Sequence, residues 1–178
     1  MVSGHVFIAT SLDGYIAREN GDIDWLLRHD QAGEDHGYDD FIRDIDVIIM
    51  GRGTYEAVRG MGKWFYTRPV LVLSSTLATQ AVPPELESRV RFVDESPDEV
   101  MAMLHSEGAR RAYVDGGAVI RSFLKRDLIS DMVITTLPIL LGAGRPLFGG
   151  DPRDVSLKHL RSQAFPSGLV QSHYEVIR

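Results

Sequence analysis

The feature that most constrains the fold of this chain is a buried strand that runs directly into a helix. Residues 45–50 are almost all apolar and rich in β-branched side chains, which predicts a strand covered on both faces. The strand ends at Gly51-Arg52-Gly53, and Thr54 follows where it can cap a helix. Glycines let backbone N–H groups approach a ligand, a helix start attracts negative charge, and arginine matches phosphate geometry. The junction therefore predicts a phosphate-bearing ligand or, alternatively, a tight turn with a solvated arginine.

Strands and helices alternate along the rest of the chain. Further strands are predicted at residues 5–10, 70–73, 90–93, 112–114, 132–137 and 169–177. Helices are predicted from about 34 to 43, from Thr54 onward, from Ser96 to Gly108 and after Gly116-Gly117. No helix separates the last strands. This order predicts a single α/β domain over residues 1–178, with a mostly parallel central sheet, flanking helices and an antiparallel C-terminal edge.

The bulk composition argues against several classes of protein. The net charge of −6 disfavours a broad nucleic-acid surface, and the absence of cysteine excludes disulfides and thiolate metal sites. The N-terminus lacks the basic and apolar regions of a signal peptide, and no apolar run approaches the roughly 20 residues that cross a bilayer. We therefore expect a soluble, cytoplasmic protein with no nucleic-acid or membrane partner.

Three predicted strands end in residues that suit a ligand. Besides the junction at Gly51, the strand at 70–73 leads to Ser74-Ser75, and the strand at 112–114 leads to Asp115-Gly116-Gly117-Ala118. In a parallel sheet these ends meet at one edge, where ligands bind. Two glycine-rich helix starts with hydroxyls between them suit an extended dinucleotide. The Rossmann and Walker A patterns are absent, so a nucleotide would be held by a different scheme.

In its motifs and their order, the chain resembles the dihydrofolate reductase superfamily, and most closely the reductase domain of riboflavin biosynthesis and its stand-alone bacterial relatives. The matching segments span nearly the whole chain: residues 9–17 (ATSLDGYIA), 24–26 (DWL), 50–56 (MGRGTYE), 73–75 (LSS), 114–118 (VDGGA) and 138–148 (PILLGAGRPLF). Their order and spacing together carry the resemblance.

The resemblance implies an NADPH site, in which the cofactor supplies the hydride and the protein supplies orientation and electrostatics. It assigns Ala9 and Ile16 to the nicotinamide end, Gly51, Arg52, Gly53 and Thr54 to phosphates, Ser74 and Ser75 to the adenine-side ribose and its 2′-phosphate, and Gly116, Gly117, Ala118 and Val119 to the pyrophosphate. It also implies that the segment around Asp13 closes over nicotinamide and substrate.

On the substrate side the sequence leaves alternatives open. Counting from Trp25, Asp30 takes the place of an acid that assists protonation in dihydrofolate reductases, or it is a solvated loop residue; Asp13 is a second candidate, and water or the substrate itself can deliver the proton. The predicted substrate contacts are Trp25, Phe65, Gly142, Gly144 and Arg145. For Trp25 and Phe65 ordinary packing is the alternative, and for the other three an ordinary glycine-rich loop. The acidic, histidine-containing stretch at 29–40 matches no closed metal site, so we expect no metal.

Together with these observations, the resemblance implies an NADPH-dependent reductase. Its hydride would pass to a C=N or C=O bond of a small heterocyclic or carbonyl substrate, of the pterin or dihydrofolate type or of the ribosylaminopyrimidine type used in riboflavin biosynthesis. The alternative is a non-catalytic NADP-binding module. A hydrolase is disfavoured because the sequence has no nucleophile elbow. We further expect a homodimer, with the alternating final strand and the loop at residues 138–148 as interface elements.

Overall fold

A computed structural model describes residues 1–29, 33–150 and 153–178. The strands are β1 (Ser3–Ser11), β2 (Tyr15–Ala17), β3 (Val47–Gly51), β4 (Val70–Leu73), β5 (Val90–Val93), β6 (Arg111–Asp115), β7 (Ile129–Leu137), β8 (Arg145–Pro146), β9 (Leu157–Ala164) and β10 (Val170–Val176). The helices are α1 (Asp24–Leu27), α2 (Tyr38–Arg43), α3 (Arg52–Gly60), α4 (Ser75–Ala78), α5 (Pro97–Ser106) and α6 (Gly117–Leu124), with a short 3₁₀ helix at Pro84–Leu86.

Eight of these strands form one sheet in the order β5-β4-β3-β6-β1-β7-β10-β9. The first six strands in that order, from β5 across to β7, run parallel to one another. Strand β10 pairs antiparallel with both β7 and β9. This confirms the predicted parallel sheet with an antiparallel C-terminal edge. The short strands β2 and β8 pair separately. Met50 lies opposite Asp115 in the β3–β6 ladder, so the two glycine-rich strand ends are neighbours.

Both faces of β3 are buried, as its sequence predicts. Ile48 and Met50 pack on one side of the sheet with Tyr55 and Val58 of α3. Ile49 packs on the other side, in the cluster that contains α5 and α6 residues. The glycine at the end of β3 is therefore held between two packed layers, which fixes the start of α3 relative to the sheet. In the part of the chain that the structure describes, no helix has the length and apolar character needed to cross a membrane.

The structure corrects two details of the predicted elements. The helix expected from about 34 begins at Tyr38, because Gly37 has a φ of 80°, a left-handed conformation that does not belong to a helix. Strand β9 was not predicted. Every one of its residues is exposed, so it carries no alternation of buried and exposed positions that a sequence pattern could reveal. By contrast, Ser96 and Glu99 form the predicted capping box at the start of α5.

Candidate functional site

A cleft of about 640 Å³ opens at the carboxyl ends of β1, β3 and β6. Segments from β1, β2, α3, β6, α6 and β8 line it, together with the loops before α1 and after α3. Carboxyl ends of parallel strands are where open α/β sheets bind ligands. Most of the surface that lines the cleft is apolar. Two helices, α3 and α6, begin at its wall.

Helix α3 begins at the cleft without a side-chain cap. Gly51 is its N-cap residue, and no side chain accepts a hydrogen bond from the first turn. The first-turn N–H groups are therefore available to an anion. Arg52 is exposed in an adjoining depression, with Nε 3.7 Å from Glu56 Oε1. An exposed pair at this distance contributes little, so Arg52 is free to contact a phosphate.

Helix α6 begins beside α3 with the same design. Gly116 is its N-cap, with a φ of 87°, and no side chain caps the first turn. A Cβ on Gly116 would lie 2.5 Å from Thr54 Oγ1, and one on Gly117 would lie 2.7 Å from the Pro146 carbonyl oxygen. Both positions therefore require glycine. The two helix starts meet at the contact between Thr54 and Gly116, and together they form a cradle of N–H donors that fits the phosphates of a dinucleotide.

The structure brings most of the predicted cofactor residues together. Ala9, Ile16, Gly51, Gly53, Thr54, Gly116, Gly117, Ala118 and Val119 all line the cleft. Ser74 and Ser75 do not. They follow β4, whose last residue, Leu73, pairs with Gly51, so they lie at the same sheet edge but one strand farther out. The Ser74 hydroxyl accepts a hydrogen bond from Leu77 N at 3.2 Å and caps α4.

The predicted substrate residues divide into two groups. Phe65, Gly144 and Arg145 line the cleft, and Phe65 is half exposed. Trp25 does not line it: its side chain is fully buried in a cluster with Leu137 and Leu169. This is the arrangement expected if Trp25 serves ordinary packing. Its neighbours Ile23 and Leu26 face the cleft instead.

The carboxylate of Asp13 is held by three hydrogen bonds. Its carboxylate accepts hydrogen bonds from Ser11 Oγ at 2.6 Å, Leu141 N at 3.1 Å and Gly142 N at 2.8 Å. These bonds, chiefly that from Ser11, lower its pKa, so the carboxylate is ionised at neutral pH and is a poor proton donor. Asp13 instead ties the turn after β1 to the segment before β8. The same bond occupies Gly142, which lies outside the cleft. Asp30 lies outside the described residues.

The ionisable group that sequence reasoning missed is Asp115, the last residue of β6, on the cleft floor. Its carboxylate accepts hydrogen bonds from Tyr66 Oη at 3.1 Å and Gly116 N at 2.8 Å. Burial nevertheless raises its pKa above the usual value, and the hydrogen bonds oppose that rise only in part. An acidic residue at the last position of a parallel strand, directly before Gly116-Gly117, was the signal that could have identified it.

Three tyrosines surround Asp115. Burial, together with this carboxylate, raises the pKa of Tyr38 to about 12 and moves the pKa values of Tyr66 and Tyr113 well above their usual range. All three hydroxyls therefore stay protonated. Tyr113 Oη donates to the Phe7 carbonyl oxygen at 2.9 Å. The Tyr38 hydroxyl has no hydrogen-bond partner among the described residues, so it can bind a group in the cleft.

Two arginines also line the cleft, both on the side of β8. Arg121 Nη1 donates to the carbonyl oxygens of Pro146 and Leu147, at 2.5 and 3.2 Å. Arg145 Nε donates to the Glu19 carbonyl oxygen at 3.3 Å, and its Nη1 would lie 3.2 Å from a Cβ on Gly53. Arg145 therefore adds positive charge next to the start of α3, where anionic groups are expected.

A hydrogen-bonded Ser–His–Asp chain lies at the opposite, amino-terminal end of the sheet. His5 is buried, with Nδ1 2.7 Å from Asp131 Oδ2 and Nε2 2.8 Å from Ser3 Oγ. The N–H groups of Ser3 and Gly4 are already bound to carbonyl oxygens, so they cannot stabilise an oxyanion. The chain joins β1 to β7 and gives no support to a hydrolase. Among the described residues no group of three or more His, Asp or Glu could hold a metal.

The comparisons with known proteins agree with this fold. The family model of the RibD C-terminal domain matches residues 4–171. The uncharacterised protein YwjB of Bacillus subtilis is 35% identical over 170 residues, which cover 95% of each chain. A solved protein of Shewanella sp. PV-4, ascribed to riboflavin biosynthesis, is 40% identical and superposes with a TM-score of 0.92, covering 99% of this chain and 100% of that one.

A more distant neighbour has the fold as one part of a longer chain. The Thermotoga maritima diaminohydroxyphosphoribosylaminopyrimidine deaminase/5-amino-6-(5-phosphoribosylamino)uracil reductase is 15% identical, with a TM-score of 0.73. The match covers 99% of this chain and 57% of that one. Together with the match over residues 4–171, the shared parallel sheet shows that the chain belongs to the RibD C-terminal domain family, which has a dihydrofolate-reductase-like fold.

Proposed function

We propose that this protein is an NADPH-dependent reductase of a small heterocyclic or carbonyl substrate. The observation that carries the proposal is the pair of glycine-built, uncapped helix starts that meet at Thr54 and Gly116 in one cleft. Such an arrangement binds phosphates through backbone N–H groups and helix dipoles. Membership of the RibD C-terminal domain family, which includes reductases, supports the same assignment.

The position of the described residues suggests how the cofactor would lie. The phosphates would rest on the starts of α3 and α6 beside Arg52, with Ser74 and Ser75 one strand farther along the sheet edge. Ala9 of β1 and Ile16 of β2 also line the cleft, and the nicotinamide would lie against them. When bound, NADPH supplies a hydride to the neighbouring substrate. The residues of the cleft would hold the nicotinamide ring and the substrate ring in register and exclude water. This positioning would account for much of the rate of hydride transfer.

We assign the proton-holding role to Asp115. It lies on the cleft floor, and burial raises its pKa, so that protonation is easier than for an exposed aspartate. The hydrogen bond from Tyr66 fixes one carboxylate oxygen. Asp115 can therefore give up or accept a proton at a substrate atom that lies within reach in the cleft. Asp13 is ionised and fully committed to the loop, so it does not compete for this role.

The finer identity of the substrate is proposed by analogy. The name of the Thermotoga maritima neighbour includes a 5-amino-6-(5-phosphoribosylamino)uracil reductase activity, and a solved pyrimidine reductase-like protein of Corynebacterium diphtheriae has the same fold, with a TM-score of 0.71 at 17% identity. We therefore propose an aminopyrimidine or pterin ring as the hydride acceptor.

The test measures NADPH oxidation that depends on added substrate, and the absorbance of the reduced nicotinamide is the readout. Aminopyrimidine and pterin compounds would be supplied to the purified chain, with Asp115→Asn as the comparison. We expect turnover by the native chain and a loss of about 10²-fold or more in the variant if Asp115 is the general acid. Saturable NADPH binding without oxidation in the presence of any of these rings would instead support the non-catalytic NADP-binding module.

A further inference from the structure

One half of the cleft is built from aromatic and apolar side chains. This aromatic half comprises Phe7, Tyr38, Phe65, Tyr66 and Tyr113. The rings support one another: Phe7 and Tyr38 meet edge to face at 5.6 Å, and Phe65 and Tyr66 lie 4.5 Å apart. Phe65 remains substantially exposed although it is large and apolar. Flat apolar walls that stay open in this way suit a planar ring stacked against them.

No basic side chain contributes to the aromatic half. Among the described residues that line the cleft, the basic ones are Arg121 and Arg145, which lie at β8 and beside the start of α3. The five residues outside the description are Asp, Gln, Ala, Asp and Pro by sequence, so none of them is basic either. Lys63 is exposed between Met61 and Phe65 and does not line the cleft.

The polar groups in the aromatic half are an acid and hydroxyls. Asp115 presents a carboxylate whose oxygens are held by Tyr66 and Gly116, and the Tyr38 hydroxyl is without a partner among the described residues. The aromatic half offers an anion no cation, and its low polarity makes the removal of a phosphate from water costly. The same groups can accept a ring N–H and donate to a ring carbonyl or nitrogen.

We propose that the substrate of this protein is an uncharged planar nitrogen heterocycle without a phosphate group, stacked on the aromatic half and hydrogen-bonded by Asp115 and Tyr38. This proposal rests on the proposed reductase function and restricts the class of substrates that the reductase would accept. It departs from the phosphorylated substrate named for the Thermotoga maritima neighbour. The positive charge of the cleft lies with the helix starts, where the cofactor phosphates would use it.

A matched pair of ligands tests the proposal. The NADPH-loaded protein is titrated by calorimetry with 5-amino-6-ribosylaminouracil and with its 5′-phosphate, which differ in the phosphate alone. We expect the unphosphorylated compound to bind, and the phosphate to weaken binding by about tenfold because no cation of the aromatic half compensates its desolvation. Equal or tighter binding of the phosphorylated compound overturns the proposal, as does failure of the unphosphorylated compound to bind. Tighter binding that disappears in Lys63→Ala or Arg145→Ala would identify the cation responsible.

A matched pair of variants locates the ring. Phe65 and Phe148 are exposed to similar extents, 49% and 44%, but only Phe65 lines the cleft. Phe65→Ala should weaken binding of the unphosphorylated ring by about tenfold, whereas Phe148→Ala should leave it unchanged. Equal effects of the two variants would contradict the assigned location. NADPH affinity is measured first on the same samples. If NADPH does not bind, the reductase proposal fails, and the ligand pair is titrated into the unloaded protein to decide the substrate proposal by itself.

Discussion

Replacing Gly116 with alanine tests the cradle most sharply, because two separate features of the structure require glycine there. Its φ of 87° places an L-residue in the left-handed region, which costs about 1–2 kcal/mol. The added Cβ would also lie 2.5 Å from Thr54 Oγ1, where an ordinary contact begins at 3.4 Å. Thr54 is in the first turn of α3, so moving it displaces one helix start relative to the other.

We expect Gly116→Ala to weaken NADPH binding by about 10- to 100-fold, since one or two charge-assisted hydrogen bonds of about 1.5–3 kcal/mol would be misaligned. The dissociation constant is measured by fluorescence titration and the free energy of unfolding by urea denaturation. Gly62→Ala is the matched control: Gly62 has a φ of 75° and nothing within 4 Å of an added Cβ. It should lose about 1–2 kcal/mol of stability and keep its NADPH affinity. A folded Gly116→Ala protein with native NADPH affinity would refute the reasoning.

Three further predictions follow from the site and from the edge of the sheet. Burial raises the pKa of Asp115 in the folded protein, so the free energy of unfolding should fall as pH rises from the ordinary aspartate pKa through the raised one. Urea denaturation of Asp115→Asn across the same pH range should show no such fall in stability. Asp13→Asn should speed amide hydrogen exchange at Leu141 and Gly142, whose N–H groups bind that carboxylate, and unchanged protection would contradict the loop-tying role. The exposed edge strand β9 carries Leu160, 52% exposed, so we expect sedimentation to show a homodimer that Leu160→Lys weakens; a native monomer at about 100 μM would contradict this.

The sequence predicted the parts of the fold that repeat a local pattern. The strand at 45–50 is buried on both faces because consecutive residues pack into opposite layers. Such burial requires consecutive apolar residues, and this run is visible in the sequence. The capping box at Ser96 is equally local, since all its hydrogen bonds lie within four residues. Strand β9 has no comparable sequence pattern, because all its residues are exposed. Among the described strands it pairs with β10 alone.

The functional residues follow the same rule. Glycines at strand ends are visible in sequence because backbone conformation and close contact demand them, and the structure places them together at Thr54 and Gly116. The roles of Trp25 and Asp13 depend on contacts with residues more than a hundred positions away, Leu137 and Gly142, which no local pattern reveals. Asp115 was overlooked because its raised pKa comes from burial by residues distant in sequence, and the hydrogen bond from Tyr66 opposes that rise only in part.

The central claim is that the two uncapped helix starts bind the phosphates of NADPH, and a titration of the native chain and of Arg52→Ala with NADPH tests it most directly. The account predicts saturable binding to the native chain with a dissociation constant of tens of micromolar or tighter, about −6 kcal/mol or more favourable. It predicts a loss of about 1–3 kcal/mol in the variant, since Arg52 would make a charge-assisted contact beside the start of α3. Absence of saturable binding to the native chain would contradict the claim, and equal affinity of the two proteins would remove Arg52 from the site.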